Sequence, residues 1–146
     1  MQVGDIVYFK NIVFDGSKAD HAFDVGRPCV YIGALNGKMY FVPLTNVYTL
    51  KHNIPYTIKP NRQNCLRKES HPNFKQIVEK KESFYEVSGY LSEQEMIKLF
   101  KDAIIYISEI RKETDSICVM LAKEYLDKRK TKYKDKDLMK QDKKKK

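Results

Sequence analysis

The rhythm of apolar and polar positions changes twice along the chain. At the start, Val3, Ile6, Val7, Tyr8 and Phe9 combine β-branched and aromatic residues with short polar interruptions, which predicts a strand. The stretch from Lys10 to Gly26 carries Asp15-Gly16-Ser17, Asp20, His21 and Asp24, is too polar for a core, and reads as a long loop. Long loops in small domains are often functional. A second strand is predicted from Cys29 to Ala34 and a third from Lys38 to Leu44. Asn36-Gly37 between them signals a type I′ turn, because both central positions of that turn need positive φ. The result is an antiparallel meander whose short strands and tight turns favour a small β-barrel or a strongly twisted sheet.

The pattern then weakens. Pro55 and Pro60 interrupt Val47-Tyr48-Thr49-Leu50 and Tyr56-Thr57-Ile58, so residues 45–67 read as short strands or irregular chain. Phe74 to Val78 predicts a short helix or a turn, and Ser83 to Val87 a strand entering Gly89. From Ser92 the period becomes helical. Ser92-Glu93-Gln94-Glu95 is a capping box, and Met96, Phe100, Ala103, Ile107, Ile110, Ile117, Leu121 and Tyr125 follow spacings that suit a helix face, with a break at Thr114. No Pro or Gly occurs after Gly89, so one long helix is open; Glu113-Thr114-Asp115-Ser116 equally suits the end of one helix and the cap of the next. The fold class is therefore mainly β with C-terminal α. After Tyr125 the run KRKTKYKDKDLMKQDKKKK has almost no apolar content and predicts irregular chain or a frayed helix. The division expected is a single domain over 1–127, β to about residue 90 and helical over 91–127, with a flexible lysine-rich tail at 128–146.

Composition narrows the class. A chain of 146 residues that is 42% hydrophobic, with seven Phe and ten Tyr, fills one core. No apolar run approaches the ~20 residues needed to span a bilayer, which argues against a membrane partner. MQVGDIVYFK has no basic segment followed by an apolar stretch and a small-residue cleavage site, so a cytoplasmic location is expected. Cys29, Cys65 and Cys118 are odd in number and widely spaced, which suits reduced thiols better than a disulfide framework or a zinc site. No histidine–cysteine spacing suggests a metal, and the glycines are too dispersed for a phosphate loop, so no cofactor is expected. The net charge of +9 is unevenly spread: zero over residues 1–50, +6 over 51–81, −5 over 82–127 and +8 over 128–146. A basic middle and tail point to polyanionic partners.

Candidate chemistry gathers at the open end of the hairpin. Gly26-Arg27-Pro28 joins the polar loop to the second strand, and Pro43-Leu44-Thr45-Asn46 closes the third. Taken alone, Arg27 reads as a surface arginine paired with Asp24, and Thr45 as an ordinary strand exit. Both stand at matching distances from the Asn36-Gly37 turn and so at one sheet edge. A guanidinium and a hydroxyl converging there can hold a phosphate, since arginine offers a planar fork of donors and a fixed charge. His21 is the nearest group titrating near neutrality and the candidate for proton transfer, against the plainer reading of a solvated loop histidine; His52 and His71 sit beside loop signals without an evident partner. Candidate RNA-binding residues are Asn46, Lys51, Lys59, Arg62, Arg67 and Lys68, interleaved with Tyr48, Tyr56 and Phe74, whose rings serve either base stacking or the core.

Gly4-Asp5-Ile6-Val7, the loop ending in Gly26-Arg27-Pro28, Val30-Tyr31-Ile32 and Val42-Pro43-Leu44-Thr45 resemble, in order and spacing, the MazF/PemK family of toxin ribonucleases from toxin–antitoxin systems. The resemblance covers residues 3–46, returns at Gly89-Tyr90-Leu91-Ser92, and leaves out the lysine-rich tail. It implies a small SH3-like β-barrel, usually dimeric, that cleaves single-stranded RNA without a metal and is held in check by an antitoxin, a protein more readily than an RNA. It also implies that Arg27 and Thr45 are catalytic. In such a reaction the ribose 2′-OH attacks the adjacent phosphorus, leaving a 2′,3′-cyclic phosphate and a 5′-OH. Arg27 would neutralise charge growing on the phosphoryl oxygens and Thr45 would donate to one of them. An arginine with a pKa above ~12 is a poor general base, so its role is electrostatic. Two other readings stay open: a ToxN/CptN-like toxin neutralised by RNA, and a non-catalytic SH3-like module that binds nucleic acid or protein.

Overall fold

The computed structural model describes residues 1–10, 26–46 and 56–144, of which 131–144 are described by their backbone. Six strands are present: β1 (Asp5–Phe9), β2 (Arg27–Leu35), β3 (Lys38–Thr45), β4 (His71–Pro72), β5 (Val78–Lys81) and β6 (Gly89–Tyr90). They form a curled antiparallel half-barrel in the order β4-β3-β2-β1-β6, with β5 also paired to β3. β3 is thus met along one edge by β5 at Lys38–Phe41 and by β4 at Leu44–Thr45. The predicted hairpin turn is present, with Asn36 at φ 54° and Gly37 at φ 77°.

Strand alternation sorts the side chains into two cores. Ile6, Val30, Ile32, Val42 and Leu44 pack against the helices, while Val7, Phe9, Cys29, Tyr31, Met39 and Phe41 form an aromatic-rich cluster on the other face. In that second cluster the Phe9 ring meets Phe41 edge-on at 4.9 Å and Tyr85 at 5.2 Å. Tyr85 belongs to Ser83–Val87, which is irregular rather than the predicted strand. That segment plugs one ring into the sheet and leaves Phe84 92% exposed, so its alternating pattern reflects capping of a core rather than ladder pairing. The strand lies earlier, at Val78–Lys81, where VEKK has little intrinsic strand preference and is held by pairing to β3. Phe74–Lys75 is a turn, in line with one of the two alternatives for that stretch.

The capping box is formed: Ser92 Oγ accepts from the Glu95 amide at 3.2 Å, and Glu95 Oε1 accepts from the Ser92 amide at 3.1 Å. It starts α1 (Glu93–Ile104), which runs on as a π-helical turn over Ile105–Ile110. Lys112 at φ 56° then turns the chain out of the helix. The Ser116 hydroxyl accepts from the Val119 amide at 3.3 Å and opens α2 (Ile117–Lys144), so of the two readings of 113–116 the two-helix one holds. Met96, Leu99, Phe100 and Ala103 of α1 pack with Cys118, Leu121, Ala122 and Tyr125 of α2 over the sheet. Helical backbone continues through the lysine-rich segment to Lys144. Among the described residues no helix is long and apolar enough to cross a membrane.

Candidate functional site

The site begins where β2 and β3 part. Their shared ladder ends at Cys29 opposite Pro43; beyond it Arg27 pairs with Phe9 of β1, and Thr45 pairs with His71 of β4. Gly26 makes the entry possible. At φ 89°, a β-carbon there would lie 2.5 Å from the Phe9 carbonyl oxygen, so only glycine lets the chain close onto β1 and deliver Arg27 at the strand start.

Both predicted catalytic residues are buried, Arg27 at 9% and Thr45 at 6% exposure. Continuing the register from Cys29 and Pro43 puts them on one face of the sheet, with Phe9 and Cys29. Burial lowers the Arg27 pKa, a shift that the neighbouring Cys29 opposes. The Cys29 thiol donates to the Arg27 carbonyl at 3.5 Å. Burial pushes that thiol up to about 12 against the pull of Lys80 and Arg27, so it stays protonated at neutral pH and is no nucleophile. Lys80, on the edge strand β5, adds a second cation to this face and stacks over the Phe9 ring at 4.9 Å.

Where the strands part lies a cleft of about 170 Å³, walled by Tyr8, Pro28, Leu44 and Leu66, with Arg27, Asn46, Arg67 and Lys68 also lining it. Burial raises the pKa of the Tyr8 phenol, Arg67 counters the shift and Cys65 adds to it. Arg67 and Lys68 are brought there by irregular chain, one of the two alternatives for residues 45–67, held in shape by Asn64. Asn64 is fully buried; its Oδ1 accepts from the Asn61 and Leu66 amides, each at 3.0 Å, and its Nδ2 donates to the Lys59 carbonyl at 2.9 Å. This clip folds residues 59–66 back on themselves and turns the following cations onto the cleft.

Of the predicted RNA-binding residues, Asn46, Arg67 and Lys68 therefore meet at the cleft together with Arg27. Thr45 is not among the residues that line it, and the exposed Lys59 and Arg62 sit on the clipped loop outside that lining. Tyr56 and Phe74 are buried, which decides for these two rings in favour of the core. His21, Lys51 and His52, with Tyr48, lie outside the described residues.

Two residues join the candidates from the structure. Tyr8 supplies the aromatic wall of the cleft. His71 stands beside Thr45, with Nδ1 3.1 Å from the Tyr56 carbonyl and 3.3 Å from the Thr57 hydroxyl. A carbonyl only accepts, so the contact with Tyr56 is a hydrogen bond in the tautomer that carries its proton on Nδ1. The signal for Tyr8 was its alternation with Val7 and Phe9; for His71 it was absent, because strand pairing across 26 positions of chain placed it. Flat apolar walls ringed by cations suit a group that is aromatic on its faces and anionic at one end. No protein-family model matches the chain, and a search of curated proteins finds no match.

Proposed function

We propose that this protein is a sequence-selective endoribonuclease of the MazF/PemK kind, the toxin of a toxin–antitoxin pair, with the half-barrel as its SH3-like core. The observation that carries the reading is the placement of Arg27, buried and at the rim of a cleft shared with Arg67 and Lys68, at the end of the strand next to Thr45. The RNA strand crosses the mouth between β2 and β3 with a base against Tyr8 and the scissile phosphate at Arg27. The 2′-OH attacks phosphorus, negative charge grows on the phosphoryl oxygens, and Arg27 and Thr45 stabilise it. His71 Nε2 is the group placed to move a proton, either from the 2′-OH or to the 5′-oxygen leaving group. The reaction needs no metal in this scheme. The protein acts as a homodimer in the cytoplasm and is neutralised by a protein antitoxin.

The test is incubation with a mixed single-stranded RNA in EDTA, with the product ends mapped. Discrete cuts bearing 2′,3′-cyclic phosphate and 5′-OH ends, lost in Arg27→Ala, support the assignment. Binding without cutting identifies a non-catalytic module, and neutralisation by a co-transcribed RNA instead of a protein identifies a ToxN/CptN-like toxin.

A further inference from the structure

α2 is one helix in backbone and two helices in chemistry. Over its first turns the face packed on the domain is apolar: Cys118, Leu121, Ala122 and Tyr125 are all buried. The packing ends at Arg129, whose guanidinium stacks on the Tyr125 ring at 3.8 Å and reaches Glu93 at 3.6 Å. Beyond it the helix runs on through Lys144 with only Tyr133, Leu138 and Met139 apolar, too few to continue the stripe.

The charges in that extension are sorted. At 3.6 residues per turn, the i,i+4 row Lys128, Lys132, Lys136, Lys140 and Lys144 falls within one sector of ~160°. Arg129 and Lys143 fall in the same sector, as do Tyr133 and Met139. The acids Asp127, Asp135, Asp137 and Asp142 fall outside it. The basic sector is the direct continuation of the buried stripe, so past Arg129 the positions in register with that stripe change from apolar to cationic. Successive positions of the lysine row are ~6 Å apart along the axis. Like charges at i,i+4 disfavour a helix on their own, so a polyanion laid along the row stabilises it.

We infer that the basic face of the α2 extension is a second RNA-binding surface, one that grips the phosphodiester backbone outside the cleavage cleft. Taking RNA as the polyanion rests on the function proposed above. The helix leaves the body beside Met1, Gln2 and Glu93, near the start of β1, whereas the cleft lies at the other end of that strand. β1 alone spans ~16 Å. The surface therefore serves long RNA, and an oligomer that only fills the cleft does not reach it.

Two double variants of the full chain isolate the face: Lys132→Gln with Lys136→Gln, inside the row, and Lys130→Gln with Lys134→Gln, outside it. They remove the same charge from the same stretch, and glutamine keeps helix preference. Binding is measured across a salt series with a 30-nucleotide RNA carrying 2′-O-methyl groups, which blocks 2′-OH attack, so the result does not depend on cleavage. A phosphate contact on single strands contributes a salt slope of ~0.7, or about fivefold in affinity at 0.1 M salt. The in-row pair should lose about 25-fold and flatten the slope by ~1.4, with a much smaller loss for the out-of-row pair. A 5-nucleotide RNA should bind both variants like the parent, and circular dichroism should show helix gained by the parent with long RNA. Equal losses for the two doubles, or no loss in either, overturn the proposal. So does face-dependent binding of polyglutamate with RNA binding unchanged, which would make the partner an acidic protein. Failure of the function proposed above would show separately, as absence of cuts in unmodified RNA.

Discussion

The two ends of the β2–β3 hairpin are built from the same strands and solve opposite problems. At the closed end, Asn36 and Gly37 complete a tight turn and β5 pairs along Lys38–Phe41. There Glu79 accepts from Tyr40 at 3.1 Å and meets Lys38 at 3.2 Å, and these partners hold its carboxyl below the usual range. At the open end the shared ladder stops at Cys29 and Pro43, and each strand is left paired to its outer neighbour alone. That loss of the shared ladder opens a cleft and gathers Arg27, Asn46, Arg67 and Lys68 at its lining. Closing a hairpin satisfies backbone groups; parting it presents side chains to a ligand.

Substitutions at the two ends should separate stability from rate. Phe41→Ala, in the closed half, removes a fully buried ring that touches Phe9 and Tyr31 and should cost ~3–5 kcal/mol in denaturant unfolding, with RNA cleavage lost only as far as the fold is lost. Arg27→Ala at the open end should lower RNA cleavage ~10²–10³-fold with a far smaller change in unfolding midpoint, and Arg27→Lys should recover little because lysine lacks the planar fork. Parental cleavage by Arg27→Ala would remove the open end from the chemistry. Thr45→Val keeps shape and strand preference while deleting one hydroxyl, so a rate loss of ~10-fold or less is expected, read by single-turnover kinetics. Gly37→Ala places a side chain at φ 77° in open space and should cost ~1 kcal/mol by thermal melting, with cleavage unchanged. Lys38→Ala is the smallest: its pair with Glu79 is half exposed, and a shift above ~0.5 kcal/mol would show that the closed end depends on charge more than on pairing.

The parts of the candidate site that were legible are those encoded locally. Arg27 and Thr45 could be placed at one sheet edge because a two-residue turn dictates which residues stand at the open end of the hairpin. Arg67 and Lys68 were recognised as basic, yet their selection over Lys59 and Arg62 depended on the Asn64 clip, a set of hydrogen bonds that no composition announces. His71 was weighed and set low, because nothing within its own segment ties it to Thr45. The strand predicted at Ser83–Val87 failed for a related reason: alternation records which side chains are covered, and Tyr85 is covered by a core it caps, not by a ladder it joins.

By itself the sequence determined the meander, its turn, the Ser92–Glu95 cap and the sorting of charge along the chain, because each depends on residues within a few positions of one another and on backbone preferences that travel with them. Tertiary structure decided which edge β4 and β5 took, where the hairpin parted and which cations reached the cleft. Those outcomes depend on pairings across tens of residues, where many alternatives share the same local preferences and only the simultaneous filling of two cores selects among them.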